Sequence, residues 1–245
     1  MVHGAFCGGW IFDDLRGAFE AAGYPVLTPD LRGHGRGDPM GAAAGVSMSD
    51  YAGDIAKLCA AQGDPPILLG HSMGGLVAQM AARRGPARAV VLLGSSPPWG
   101  ISGSSVEETV TAFGVQMLGG LWAQTTSADP TLMRTYSLDR LDKAARDEAV
   151  ARMRPESGRA VWETLSWWLD PYMTTSLGPG PLTQPSLVMV GARDAVHPPA
   201  TARQIAERLG GDYREWPQMS HWLPSEPGWE AVAEAALDWL DGVKG

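Results

Sequence analysis

A five-residue turn, Gly70-His71-Ser72-Met73-Gly74, constrains this chain more than any other feature. Upstream, Pro66 to Gly70 (PILLG) is an apolar run of strand length. Downstream, Met73 to Arg84 has helical character and is ended by Gly85-Pro86. A serine at so sharp a strand-to-helix junction needs neighbours without side chains, because strand and helix close on each other there. Leu76, Val77 and Met80 on that helix are expected in the core.

The same alternation recurs along the chain. Pro25 to Asp30 (PVLTPD) reads as a strand and Ser49 to Gln62 as a helix with Asp50 and Asp54 in its first turns. Arg88 to Leu93 (RAVVLL) is a strand, and so is Ser186 to Val190 (SLVMV). Pro199 to Leu209 is a helix, Asp212 to Trp216 a strand and Trp229 to Leu240 a helix. Apolar strands alternating with helices imply an α/β fold, a mostly parallel sheet with helices on both faces. Between Pro97 and Pro181 that rhythm stops. Helical stretches at Val106 to Leu118 and Leu141 to Met153 stand there, with Trp99, Trp122, Trp162, Trp167 and Trp168, and Gly178-Pro179-Gly180-Pro181 closes the interval. The expected division is a core of residues 1–96 and 182–245, with 97–181 inserted as a helical cap at the carboxyl ends of the strands, where ligands bind in such sheets.

At 245 residues the chain suits one domain with such an insertion. A formal charge of −8 and the lack of a basic run argue against nucleic acid or an anionic membrane as partner. Cys7 and Cys59 are the only cysteines and form no CxxC or Cys/His cluster, so neither a structural zinc site nor a disulfide framework is expected. Without a basic-then-apolar leader or an apolar run of about 18 residues, the expected location is cytoplasmic.

The turn fits the GxSxG nucleophile elbow, in the strand-turn-helix context the motif requires. A serine nucleophile needs a base, and five histidines are available. His71 adjoins Ser72 and should diverge from it. His3 precedes Gly4 in a loop it is expected to brace. His34, in Arg32-Gly33-His34-Gly35, could approach only from the rim. His221 follows the last strand, in the order serine, acid, histidine, and is preferred over His197, which shares a loop with the acid candidate and is expected to line or support the site. That acid is Asp194, just past the strand ending near Val190 and, at five residues upstream of Pro199, too far away to cap the helix there. Asp170, inside the insertion, is the weaker alternative and reads as a solvated charge.

His3-Gly4-Ala5-Phe6, Gly70-His71-Ser72-Met73-Gly74-Gly75, Gly191-Ala192-Arg193-Asp194, Ser220-His221-Trp222 and the loop Asp30-Leu31-Arg32-Gly33-His34-Gly35 together resemble the α/β-hydrolase fold family, of the esterase and lipase type. The resemblance covers the chain apart from the insertion. It implies a serine hydrolase without metal or organic cofactor that cleaves carboxylic esters through an acyl-enzyme. Ser72 attacks, His221 moves the proton, Asp194 holds the imidazole, and the backbone N–H groups of Met73 and Ala5, with Phe6 behind Ala5, receive the oxyanion. Serine at the elbow, rather than aspartate, favours ester chemistry over dehalogenation or epoxide opening. Lactones, thioesters, carbon–carbon bonds or cofactor-free peroxidation would use the same triad, and a non-catalytic small-molecule receptor could keep it. Trp99, Trp122, Trp162, Trp167, Trp168, Met117 and Met173 suggest an apolar lid over a small or medium apolar ester, the plainer reading being that most of them pack the insertion onto the main domain. The expected substrate contacts are Phe6, Trp99, Trp122, His197 and Trp222. One departure stands out: only Met1 and Val2 precede His3, where the family has a full central strand. Further residues upstream, or another segment, are expected to complete the sheet.

Overall fold

The computed structural model describes residues 1–102 and 121–243; the helix expected at Val106 to Leu118, with Met117, lies outside them. Four parallel strands, β1 (Ile67–His71), β2 (Ala89–Leu93), β5 (Ser186–Gly191) and β6 (Asp212–Trp216), lie side by side in the order β1-β2-β5-β6. β1, β2 and β5 are largely apolar because both their faces are covered, whereas β6 (DYREW), at the sheet edge, is only partly buried. Val90, Leu92, Val188 and Val190 pack on one face with Leu76 and Met80 of α3 (Met73–Ala82), Tyr51 and Ile55 of α2 (Met48–Ala60) and Ile205 of α6 (Pro199–Leu209). Val91, Leu93, Leu187 and Met189 point the other way, against Leu15 and Phe19 of α1 (Asp13–Ala21) and Val232 and Leu240 of α7 (Trp229–Val243). This is the period-two alternation of a strand buried on both sides. Each such side chain contributes about 1.5–3 kcal/mol on leaving water.

Helix starts follow local chemistry. Ser47 and Asp50 form a reciprocal capping box that opens α2 one residue before the expected Ser49. Pro199 opens α6, and Gly210, in the left-handed conformation, ends it.

Pro25 to Asp30 is not a strand. Pro25 and Pro29 have no N–H to donate, and Val2 beside them makes one bridge, to Gly70, rather than a ladder. The ammonium of Met1 donates to Leu27 O at 2.5 Å, and Leu31 N–H donates to His3 Nε2 at 2.9 Å.

Between β2 and β5 the described residues contain α4 (Lys143–Arg152) and α5 (Gly158–Leu165). They also hold a π-helical turn over Met133–Ser137 and a small antiparallel pair, β3 (Thr125–Thr126) with β4 (Glu156–Ser157). Asp170 is buried here rather than solvated: its carboxylate accepts from Tyr172 N–H at 2.9 Å and Thr174 N–H at 2.6 Å, closing the turn that Pro171 begins. Among the described residues no helix is long and apolar enough to cross a membrane.

Candidate active site

Ser72 stands between β1 and α3 at φ 53° and ψ −127°, a left-handed conformation that a serine adopts only under constraint. Gly74 shows what the close approach demands, since a Cβ there would lie 2.2 Å from His3 O and 2.3 Å from Val2 O. Ser72 N–H donates to Leu93 O at 3.0 Å, and Ser72 O accepts from Ser96 N–H at 3.0 Å, so the turn is pinned to the end of β2.

Three side chains far apart in sequence converge on this turn. Ser72 Oγ lies 3.1 Å from His221 Nε2, and His221 Nδ1 lies 2.9 Å from Asp194 Oδ2. The other oxygen of Asp194 accepts from the N–H groups of Val196, at 2.9 Å, and His197, at 2.8 Å. Asp194 and His221 are both buried, which strengthens their attraction and holds the imidazole with Nδ1–H toward the carboxylate. Nε2 then faces Ser72 as an acceptor. Such an arrangement can take the proton of an attacking hydroxyl and return it to a leaving group.

The neighbouring histidines serve as supports. His71 Nε2–H donates to His221 O at 2.9 Å; burial, and then the neighbouring His221, hold its imidazole well below its ordinary pKa, hence neutral. Burial similarly lowers His3 to about 4, and its ring spans Gly4 O and Leu31 N–H. His34 is not at the rim. It is buried and pairs with Glu156 at 3.1 Å. His197 Nε2 lies 2.9 Å from Ser96 Oγ, and both line the cavity.

The cavity over Ser72 measures about 480 Å³, within the range that encloses small-molecule ligands. Of the expected contacts, Phe6, His197 and Trp222 line it, as do Ala5 and Met73. Among the described residues neither the Ala5 nor the Met73 N–H is spent on a turn or loop hydrogen bond. Trp99 and Trp122 do not line it. Trp99 packs on Trp167 with centroids 5.4 Å apart, and Trp122 packs on Trp162 at 5.0 Å, with the Arg159 guanidinium 5.1 Å from its ring. Trp168 and Met173 are about half exposed. The reason is helical: Val161, Thr164 and Leu165 share the cavity face of α5, and Trp162 falls a quarter-turn away. Leu132, Met133 and Tyr136, from the π-helical turn and the residue before it, supply the rest of the apolar wall.

Sequence reasoning missed Ser96, Glu156 and Glu226. Glu226 is buried, and its Oε1 accepts from Ser220 N–H at 2.7 Å, which fixes the residue before His221. Burial raises its carboxyl to about 7, aided by Asp139 and Asp194. The loop spacing Ser220-His221-x4-Glu226 was visible, but a glutamate before Pro227 carries no signal that it is buried. Among the described residues no group of three or more His, Cys, Asp or Glu is placed to hold a metal ion.

A parallel sheet with a strained serine turn at its carboxyl edge, a buried Asp–His pair against it and a cavity above is the frame of a hydrolase. The model of the alpha/beta hydrolase family matches residues 1–235, and the chain belongs to that family. It is similar to a pyrethroid hydrolase of Sphingobium wenxiniae, 37% identical over 93 residues. That match covers 38% of this chain and only 33% of the relative, so it spans about a third of that protein's length. The pimeloyl-[acyl-carrier protein] methyl ester esterase of Aromatoleum aromaticum is 29% identical over 85% of this chain and 84% of its own. Among solved structures, the monoacylglycerol lipase of Paleococcus ferrophilus superposes with a TM-score of 0.76 over 99% of this chain and 93% of its own; at 21% identity this is a likeness of fold.

Proposed function

We propose that the chain is a serine hydrolase that cleaves carboxylic esters of small or medium, largely apolar groups. Ser72 is the nucleophile, His221 the base and Asp194 its partner acid. Ser72 Oγ attacks the ester carbonyl as its proton passes to His221 Nε2, and the new oxyanion is received by the N–H groups of Met73 and Ala5. When the carbon–oxygen bond to the alcohol breaks, His221 returns that proton to the leaving oxygen. Water then repeats the sequence on the acyl-enzyme, releasing the acid and restoring Ser72.

The observation that carries this reading is the unbroken relay, 3.1 Å from Ser72 to His221 and 2.9 Å on to Asp194, opening into an apolar cavity. The esterase, lipase and hydrolase names of the relatives support ester chemistry in particular. Phe6, His197 and Trp222 are the proposed substrate contacts.

A fluorophosphonate is expected to label Ser72. Ser72→Ala is expected to lower kcat on p-nitrophenyl esters by about 10⁴-fold or more, the scale seen when a triad nucleophile is removed. A folded protein with no adduct at Ser72 sinks the reading in favour of a receptor. Activity confined to lactones or acyl thioesters would move the substrate class and keep the mechanism.

A further inference from the structure

Three residues of the segment 154–157 in the inserted region, Arg154, Glu156 and Ser157, are tied to five separate points of the core. Arg154 N–H donates to Phe6 O at 2.9 Å, and the Arg154 guanidinium donates to Asp38 O at 2.6 Å. Glu156 accepts from Tyr51 OH at 2.6 Å and lies 3.1 Å from His34 Nε2, while Ser157 Oγ donates to Val46 O at 2.5 Å. Glu156, Tyr51, Ser157 and His34 are all buried, the first three completely. Burying a carboxylate is costly unless donors surround it, and apolar packing would hold a cap at lower cost. Directional bonds add a defined position.

That position matters at Phe6. This residue follows Ala5 and is held at φ 65°, a conformation that a residue with a Cβ keeps only where its surroundings over-determine it. Cys7 N–H approaches Gly4 O at 3.4 Å, a long contact that holds the turn weakly from within. The bond from Arg154 is the external support.

We propose that Arg154 to Ser157 form a positioning strap for the oxyanion loop. The Arg154 N–H holds Phe6 in its left-handed turn, the Glu156–His34–Tyr51 cluster sets where Arg154 sits, and the Ala5 N–H thereby stays aimed at the reacting carbonyl. The proposal rests on the reading of Ser72 as nucleophile and Ala5 as oxyanion donor. None of the strap residues touches substrate; they act through the loop.

The charges agree with a built anchor. Burial works against the His34 imidazolium, but contact with Glu156 and its charge outweigh burial and raise the pKa. Burial likewise opposes the Glu156 carboxylate, and His34, Tyr51 and Ser157 N–H outweigh it and lower the pKa. His3, whose ring is 5.2 Å from that of His34, is neutral and does not compete.

Arg154→Pro deletes the N–H that reaches Phe6, and Met153 (φ −64°, ψ 146°) already has the extended conformation a following proline requires. Glu156→Gln removes the buried charge, and Arg154→Met keeps the N–H as a control. Each variant is assayed on a p-nitrophenyl ester, with a trifluoromethyl ketone that forms a tetrahedral adduct on Ser72 and with its methyl ketone counterpart. Amide exchange of residues 4–7 is measured alongside. Arg154→Pro and Glu156→Gln are expected to lower kcat about 10- to 100-fold, below the roughly 10²–10³ of losing a donor outright, with KM within about twofold. The trifluoromethyl ketone should weaken by the same factor and the methyl ketone should not. Exchange at 4–7 should quicken in both, and Arg154→Met, which keeps the N–H to Phe6 and loses only the guanidinium's bond to Asp38 O, should change far less than Arg154→Pro.

Unchanged exchange and unchanged ketone affinity in the folded variants overturn the proposal. So does a loss shared equally by both ketones, which would mean a collapsed pocket. Should Glu156→Gln fail to fold, Arg154→Pro, which leaves the buried cluster intact, decides the matter. A wild-type protein that hydrolyses no ester, yet whose loop loosens in both variants, sinks the hydrolase reading and leaves the strap's hold on the loop standing.

Discussion

Gly94 offers a direct test of how tightly the Asp194–His221 pair is held. It follows β2 at φ 48°, and a Cβ there would lie 3.0 Å from Asp194 Oδ2 and 3.2 Å from His221 Nδ1, the two atoms whose contact is 2.9 Å. Its N–H is bonded to Met189 O at 2.9 Å, so the backbone cannot slide away without breaking the sheet edge. Gly94→Ala therefore has two separable costs. Left-handed alanine costs about 1–2 kcal/mol, which for a chain of this size lowers Tm by roughly 2–8 °C. The added methyl also asks Asp194 and His221 to give by a few tenths of an ångström. Because a 1 Å misplacement can cost about 10²-fold, a shift of that size should lower kcat by about tenfold while KM hardly moves. Thermal melts and steady-state kinetics on one p-nitrophenyl ester measure both. A variant that melts lower but keeps wild-type kcat would refute the reasoning, since the methyl would then sit against the pair without consequence.

Asp194→Asn keeps the oxygen that receives Val196 and His197 N–H but turns an amide toward His221; kcat should fall by about 10⁴-fold with the melting curve little changed. Glu226 is raised by burial to about 7 from an ordinary 4.5, so the folded protein binds more protons than the unfolded chain between those values. Stability should fall as pH rises from about 4.5 to 7, and Glu226→Gln should flatten that slope in Tm measured against pH. Leu165→Trp, on the cavity face of α5, should cut kcat/KM for long-chain p-nitrophenyl esters by about tenfold and spare the acetate; equal loss on both would place Leu165 outside the substrate path.

The sheet was legible because its inner strands are buried on both faces, which makes Ala89–Leu93 and Ser186–Gly191 nearly unbroken apolar runs between turn residues. Pro25 to Asp30 misled for the same reason in reverse: β-branched and apolar residues there match a strand, but two prolines and a single bridging neighbour leave no ladder. The convergence of residues 72, 194 and 221 was legible from chain order and from the strand preceding each loop. The part of the cavity wall that the insertion supplies was not, although Phe6, His197 and Trp222 were expected and line it. Tryptophan content says that the insertion is apolar, not which side of α5 a tryptophan occupies, and Trp162 falls off the face that Val161 and Leu165 share. Asp170 did carry a signal, since Asp-Pro pairs initiate turns, and it was outweighed by its setting in an irregular stretch. Glu156 and His34 carried none, because two charges far apart in sequence become partners only through tertiary packing.

Each restraint on His221 comes from a different element. Asp194 follows β5, Gly94 follows β2, His71 ends β1, and Glu226 lies in the loop after β6. A parallel sheet brings these together because all its strands end on one side, and the ladder then sets the distances: His71 is level with Leu93, Leu93 with Met189, and Gly191 with Trp216. Strand residues rise about 3.3 Å each, so a slip of one position in any pairing would carry its loop further than the whole length of the Ser72–His221 contact. It would also turn the strand's buried side chains to the opposite face. The same apolar packing that makes the strands recognisable therefore fixes the register, and through the register the reach of one imidazole.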